Sequence, residues 1–197
     1  LDRLKRCNKL ILVIGGGGTA RAYQDAARTV AGLTELELDW VGIYTTQLNA
    51  LFVRHLFGKE AHTQVITDPR CKVQTNKRLI VAAGWKPGCS TDYDTVLLAR
   101  TYGVKEIINL SNIEYVYDKD PKKYRDAKKL SDIDWQTFRR DVVGNAWVAG
   151  KNVPFDPIAS REAEKLGLTV SMLKGTNLKE VERAFEGKKF KGTLIHP

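Results

Sequence analysis

Along this chain, apolar runs of strand length alternate with longer stretches whose apolar positions recur at helical spacing. Lys9 to Ile14 reads as a first strand and Thr19 to Ala31 as its helix, with Gly32 as the stop. Val41 to Phe57 reads as a second helix ending at Gly58, and Thr63 to Thr67 and Arg78 to Ala83 are strand candidates. Thr91 to Tyr102 is a helix stopped by Gly103, followed by a strand over Glu106 to Leu110. That strand opens into a polar loop, Ser111 to Lys129, where Asp120-Pro121 forbids a continuous helix. A helix over Asp156 to Leu166, a strand over Leu168 to Leu173, a helix over Asn177 to Phe185 and a short strand over Thr193 to Ile195 complete the pattern. Repeated βα units of this kind predict an α/β fold with a mainly parallel sheet. Neither a repeat nor a low-complexity linker interrupts the 197 residues, so a single domain over 1–197 is expected.

The first strand ends in four glycines, Gly15 to Gly18, and a helix follows at once. Glycines let such a turn take positive φ and let a ligand approach the backbone, while the free N–H groups of the new helix point at an anion. Arg21, about one turn in, adds a cation. The alternative is a glycine turn used only for tight packing. Gly15-Gly16-Gly17-Gly18-Thr19-Ala20 also fits the dinucleotide pattern G-x-G-x-x-G/A, with Glu35, Glu37 or Asp39 as the ribose-binding acid, so a nicotinamide or flavin enzyme competes. No Gly-Lys-Ser/Thr follows the glycines, which excludes a Walker A loop.

Three further polar clusters need work to do. Gly84-Trp85-Lys86-Pro87-Gly88-Cys89-Ser90-Thr91-Asp92 precedes a helix and can wrap a phosphate through N–H and O–H donors, or Ser90 or Thr91 can simply cap that helix. Ser111 to Lys122 interleaves aromatic and polar residues in a way that suits a base and a ribose, and equally suits a surface loop. Asp39 stands at a helix start, as a cap or as a ligand contact.

A net charge of +9 suits polyanionic ligands, but the lysines and arginines are spread out and the elements of groove or base recognition are missing, so nucleic acid is not the expected partner. No apolar run reaches the roughly 18 residues of a membrane helix and the start lacks the apolar core of a signal peptide, so a soluble cytoplasmic protein is expected. Cys7, Cys71 and Cys89 are far apart and read as reduced thiols. Cys89 sits in the proposed ligand turn without a partnering histidine, so it is not read as a nucleophile.

In this order, Gly15-Gly16-Gly17 with Thr19-Ala20-Arg21, Asp39-Trp40-Val41-Gly42-Ile43 with Asn49-Ala50, Pro87-Gly88 with Thr91-Asp92, Val116-Tyr117 with Asp120-Pro121-Lys122, Phe155-Asp156-Pro157 with Ala159, and Gly192-Thr193 resemble the amino acid kinase superfamily, most closely its archaeal-type uridylate kinases. The resemblance runs from about Lys9 to Pro197 and disfavours the dehydrogenase alternative, in which the later clusters have no role. It implies a three-layer α/β/α sandwich and transfer of the γ-phosphoryl group of ATP to UMP with Mg2+. It also implies a homo-oligomer, a hexamer built from dimers.

By motif, Gly16 would lie at the UMP phosphate, Gly17 and Arg21 at the ATP phosphates, and Asp39 at the UMP nucleoside. Trp85, Lys86, Pro87, Gly88, Cys89, Ser90 and Thr91 would wrap UMP. Asp92 matches the acid that orients the superfamily's catalytic cations and Arg21 is its catalytic partner here, while Ser111, Tyr117 and Asp120 would line the ATP site. No protein ligand to the metal is assigned. The alternatives are a related kinase of a small acid or phosphate and a non-catalytic nucleotide- or oxyanion-binding relative.

The sequence departs from the family in five places, two of them small: Ser111 replaces the usual threonine and keeps its hydroxyl, and Gly18 stands where relatives usually carry a polar residue. Nothing before Lys9 supplies the opening strand and Lys-x-x-Gly turn, so an N-terminally incomplete sequence is expected. Glu114-Tyr115 replaces Asp-Gly, so that turn must avoid positive φ. Trp85 and Lys86 stand where relatives carry smaller or different groups, leaving base choice open. Leu48, Leu51, Phe52, Leu56 and Phe57 form one apolar face of the second helix, expected in the core rather than at an oligomer interface.

Overall fold

The computed structural model describes residues 9–144 and 153–197, which places Cys7 outside the described residues. Two compact units divide the chain, Leu1–Thr101 and Tyr102–Pro197.

In the first unit, β1 (Leu10–Val13) lies parallel to β2 (Leu79–Ala82), with Leu10 opposite Leu79 and Val13 opposite Ala82. Both strands are continuous aliphatic runs, as expected of a strand covered on both faces. Val81 and Leu79 join Ala50, Ala61 and Ala83 in one core cluster, against which Leu10, Leu12 and Ile14 pack. Between the strands run α1 (Gly17–Val30) and α2 (Glu35–Phe57).

The second helix is six residues longer at its start than its apolar period predicts. Thr34 and Glu37 form a capping box: the Thr34 hydroxyl accepts from the Glu37 N–H, and the Glu37 carboxylate accepts from the Thr34 N–H at 2.7 Å. Those hydrogen bonds hold the Glu37 carboxyl below its ordinary range. Where the sequence suggested a strand over Thr63 to Thr67, only isolated bridges form, Ala61 to Leu79 and Ile66 to Ala82. Exposed Thr63 and Gln64 interrupt the pairing.

After β2 comes α3 (Thr91–Tyr102), whose Val96, Leu97, Leu98 and Ala99 are all buried. Four consecutive buried positions mean that the helix is covered all round. Gly103 at φ 71° ends it as expected.

The second unit has a four-stranded sheet in the order β3 (Glu106–Ser111), β7 (Thr169–Lys174), β8 (Thr193–His196), β6 (Asp132–Asp134). Neighbours are parallel except β7 with β8. The expected polar loop is partly ordered, since β4 (Val116–Tyr117) pairs antiparallel with β5 (Lys129–Leu130). Asp134 caps α4 (Trp135–Phe138), which runs into a π-helical turn over Arg139–Val143; neither was legible in the apolar pattern. Trp135 is buried, donates its indole N–H to the Leu168 carbonyl at 2.7 Å, and meets Phe138 edge-on at 5.8 Å.

Asp156 caps α5 (Pro157–Lys165) by accepting from the N–H groups of Ile158 and Ala159 at 2.8 and 2.7 Å. The last helix, α6 (Leu178–Phe185), follows β7.

Gly192-Thr193 has a clear structural reason. Buried Thr193 accepts from the Val116 N–H at 2.9 Å and donates to the Leu130 carbonyl, which fastens both strands of the β4–β5 pair to β8. A Cβ on Gly192 would overlap the Met172 carbonyl oxygen and sit 2.6 Å from the Phe190 ring. Gly192→Ala is therefore expected to destabilise the protein by about 2 kcal/mol, read as a lowered denaturation midpoint with an unchanged m-value.

Candidate active site

Gly16 has ordinary helical dihedrals and is glycine for space: a Cβ there would lie 2.5 Å from the Ala20 Cβ. Gly17 takes φ 58°, the conformation that glycine alone adopts freely. Asn49 of α2 fixes the turn by donating its amide to the carbonyls of Gly15 and Gly16 at 3.0 and 3.2 Å. The start of α1 has no side-chain cap and no acid in its first turn. Its first N–H groups have no intrahelical acceptor, and among the described residues nothing stands within 4 Å of a Cβ built on Gly17 or Gly18. An anion can therefore reach these donors, and exposed Arg21 adds full positive charge on the same helix.

Directly after α1 comes another helix rather than a strand, so Glu35, Glu37 and Asp39 all lie on α2 and none ends a strand as a ribose-binding acid would. Asp39 is within α2, whose cap is Thr34, so of its two readings the helix cap is excluded. From that helix the Asp39 carboxylate accepts from the Gly88 N–H at 3.1 Å. This contact brings Asp39 to the turn with which the resemblance grouped it.

The turn over Gly84 to Ser90 is gripped from two helices. The Gly84 N–H donates to the Thr46 hydroxyl of α2 at 2.8 Å, and the Trp85 N–H donates to Asp94 Oδ2 of α3 at 3.1 Å. With Gly88 held by Asp39, the backbone donators at Gly84, Trp85 and Gly88 are engaged by protein oxygens. Ser90 caps α3, accepting from the Tyr93 N–H at 3.1 Å. Gly84 is needed for this approach, since a Cβ would meet the Thr46 hydroxyl at 2.9 Å.

The glycine turn and this second turn are neighbours. A Cβ on Gly15 would lie 3.8 Å from the Thr91 hydroxyl, and one on Gly16 would lie 3.6 Å from the Thr46 methyl. Over the Trp85 ring stand two cations, Lys86 at 4.2 Å and Arg70 at 4.5 Å. Arg70 is itself fixed by Asp68, through Nε at 3.0 Å and Nη2 at 2.7 Å. Hydrogen bonding from Arg70 pulls the half-buried Asp68 carboxyl down to about 2. Pro87, Cys89 and Asp92 complete the segment.

Ser111, Tyr117 and Asp120 belong to the second unit. Ser111 ends β3, Tyr117 pairs with Lys129, and Asp120 Oδ1 accepts from the Lys122 N–H at 2.9 Å to shape the Asp120-Pro121 turn. Among the described residues no non-glycine residue has positive φ, so Glu114-Tyr115 does avoid the conformation that glycine would permit.

Three residues escaped the sequence reading. Thr46 lies inside the helical stretch Val41 to Phe57 without a signal of its own, and Arg70 lies in a segment without a pattern. Asp94 reads as a solvated helix acid, yet it is 0% exposed. Burial pushes its carboxyl up to about 7, against the opposing hydrogen bond from the Trp85 N–H and with a smaller push from the charge of Asp68. The expected core face of α2 is also corrected: Leu48, Leu51, Phe52 and Leu56 are exposed, Phe52 and Leu56 at 64% and 65%, with Tyr44 beside them, and only Phe57 of the five packs against the core cluster. Helical spacing marks an apolar face without saying what covers it.

Comparison with known proteins extends the picture over nearly the whole chain. Residues 1–173 match the model of the amino acid kinase family. The chain is 33% identical to the uridylate kinase of Methanospirillum hungatei JF-1 over 198 residues, 99% of this chain and 83% of that protein. It is 31% identical to the uridylate kinase of Methanothermobacter thermautotrophicus over 199 residues, 100% of this chain and 88% of that protein. The crystal structure of the uridylate kinase from Archaeoglobus fulgidus is similar with a TM-score of 0.81 at 27% identity, covering 98% of this chain and 87% of that one. An α/β fold of this type is thus common to chain and relatives.

Proposed function

Because the chain belongs to the amino acid kinase family, we propose that it transfers the γ-phosphoryl group of ATP to UMP, giving UDP and ADP, as a cytoplasmic step of pyrimidine nucleotide synthesis. The observation that carries this reading is the open, uncapped start of α1, with Arg21 on it and the Asp39-clasped turn beside it. Phosphoryl transfer asks the protein mainly to hold two anionic phosphates in line and to stabilise the charge that moves between them.

Gly16 would receive the UMP phosphate, and Gly17 and Arg21 the ATP phosphates. Asp39 would take the ribose hydroxyls, for which an ionised carboxylate is a strong acceptor. Trp85, Lys86, Pro87, Gly88, Cys89, Ser90 and Thr91 would surround the rest of UMP, and Asp92 would orient cationic groups. By the family resemblance, Ser111, Tyr117 and Asp120 would line the ATP site. Bound Mg2+ would neutralise phosphate charge. Such an ion is held largely through substrate phosphates and its own waters, with at most one or two carboxylates.

An assay of acceptors with ATP and Mg2+, across UMP, CMP, dUMP, AMP and acetylglutamate, tests the reading. UMP is expected to be the preferred acceptor. Transfer to acetylglutamate alone would indicate a small-acid kinase, and ATP binding without any transfer would indicate a binding protein.

The partners are nucleotides and a second copy of the chain. No helix of the described residues is long and apolar enough to cross a membrane. The outward row Tyr44, Leu48, Leu51, Phe52 and Leu56 on α2 supports a homo-oligomer, because large contiguous apolar patches mark interaction surfaces. A Leu51→Asp, Phe52→Asp double variant is expected to elute as a smaller species in light-scattering chromatography, with unchanged mass arguing against this face.

A further inference from the structure

Asp94 is a buried group for which the phosphoryl-transfer reading has no use. Its Oδ2 accepts from the Trp85 N–H at 3.1 Å, and its Oδ1 has no hydrogen-bond partner among the described residues. A buried carboxyl oxygen without a partner is costly, and an aliphatic side chain would avoid that cost at a position flanked by Val96, Leu97 and Leu98. What an aliphatic side chain cannot provide is an acceptor for Trp85.

We propose that Asp94 is a positioning residue for the acceptor nucleotide: from inside α3 it fixes the Trp85 backbone, and so sets where the indole stands against the Arg70 and Lys86 cations. Three facts make this a built arrangement. The strut is short and rigid, because Asp94 is on a helix whose start is capped by Ser90 of the same turn. The adjoining Gly84 N–H is held by Thr46, so the backbone is pinned at two consecutive donors. Arg70 is fixed independently, by its paired hydrogen bonds to Asp68 and by the neighbouring Pro69 carbonyl, which accepts from Thr101 of α3 at 2.7 Å. Asp94 thus acts through Trp85 and touches no substrate atom itself.

The ligand class rests on the UMP kinase reading above: two cations over an indole, beside a carboxylate that faces the same turn, suit a nucleoside monophosphate. Loss of the strut should loosen acceptor binding while leaving the phosphate-holding start of α1 intact. It should therefore raise KM for UMP more than it lowers kcat.

The test compares Asp94→Leu with Asp94→Asn, whose side-chain carbonyl can still accept from Trp85. Amide hydrogen exchange at Trp85 is followed by NMR without nucleotide, and KM and kcat for UMP are measured in parallel. In Asp94→Leu, Trp85 exchange is expected to quicken and KM to rise, each about tenfold, with kcat little changed. Asp94→Asn is expected to restore both. Should Asp94→Leu fail to fold, Asp94→Ala takes its place. Unchanged Trp85 exchange in the Leu or Ala variant, or equal KM changes in the Asn and Leu variants, would overturn the proposal. If wild-type protein makes no UDP, the kinase reading fails on its own, while the exchange measurement still decides whether Asp94 holds Trp85.

Discussion

Arg21→Ala is expected to lower kcat/KM for UMP phosphorylation by roughly 10²- to 10³-fold, the size seen when one group that stabilises transition-state charge is removed. The start of α1 offers partial charges from its N–H groups, and Arg21 is the full cation on its exposed first turns. As charge spreads over the transferring phosphoryl group, a guanidinium can follow it with two parallel donors, which a point charge cannot do as well. Arg21→Lys should consequently recover only part of the loss. The fall should appear in kcat as well as KM, because the interaction strengthens on the way to the transition state. Melting temperature should hardly move, since exposed Arg21 has little packing to lose. A variant with wild-type kcat would place the cation elsewhere.

The largest effect on stability is expected from Asp94→Asn. With a carboxyl near 7 in the folded protein and an ordinary value of 3.8 in the unfolded chain, the folded state binds more protons between those pH values. The stability contributed by the neutral carboxyl is therefore complete below about pH 4 and declines as pH rises through 7. At about 1.4 kcal/mol per pK unit, the decline reaches on the order of 4 kcal/mol by pH 8. Asp68, held low, acts in the opposite sense at the acid end: its contribution is present above about pH 4 and is lost as pH falls through 2. It is small because that pair faces solvent. Denaturant unfolding at pH 5 and pH 8.5 separates these effects. Wild-type protein should lose stability between the two, while Asp94→Asn, with nothing to ionise, should lose much less. Parallel behaviour would mean that Asp94 titrates near its ordinary value.

Several boundaries were legible because a local signal agreed with the tertiary outcome. Gly103 and Gly167 both take positive φ behind helices, and the apolar runs of β1, β2 and β7 are strands, β2 buried throughout and β1 half-buried. The start of α2 was passed over because Glu35, Glu37 and Asp39 broke the apolar period, although Thr34 with Glu37 was a readable capping box. β6 and α4 are three and four residues long, too short for any period, and tertiary packing around Trp135 defines them. At the site, the glycine turn and the Ser90 cap were visible in the residues themselves. The Asp39–Gly88 contact joins positions 49 apart in the chain, and the Asp94–Trp85 contact depends on tertiary structure covering α3 at Asp94. Sequence spacing carries neither fact.

The most direct test of the central claim is product analysis of a single reaction of this protein with UMP, ATP and Mg2+, followed by ³¹P NMR. UDP and ADP are expected to accumulate in equal amounts as UMP and ATP disappear. ADP and inorganic phosphate without UDP, or no change despite nucleotide binding, would contradict phosphoryl transfer to UMP.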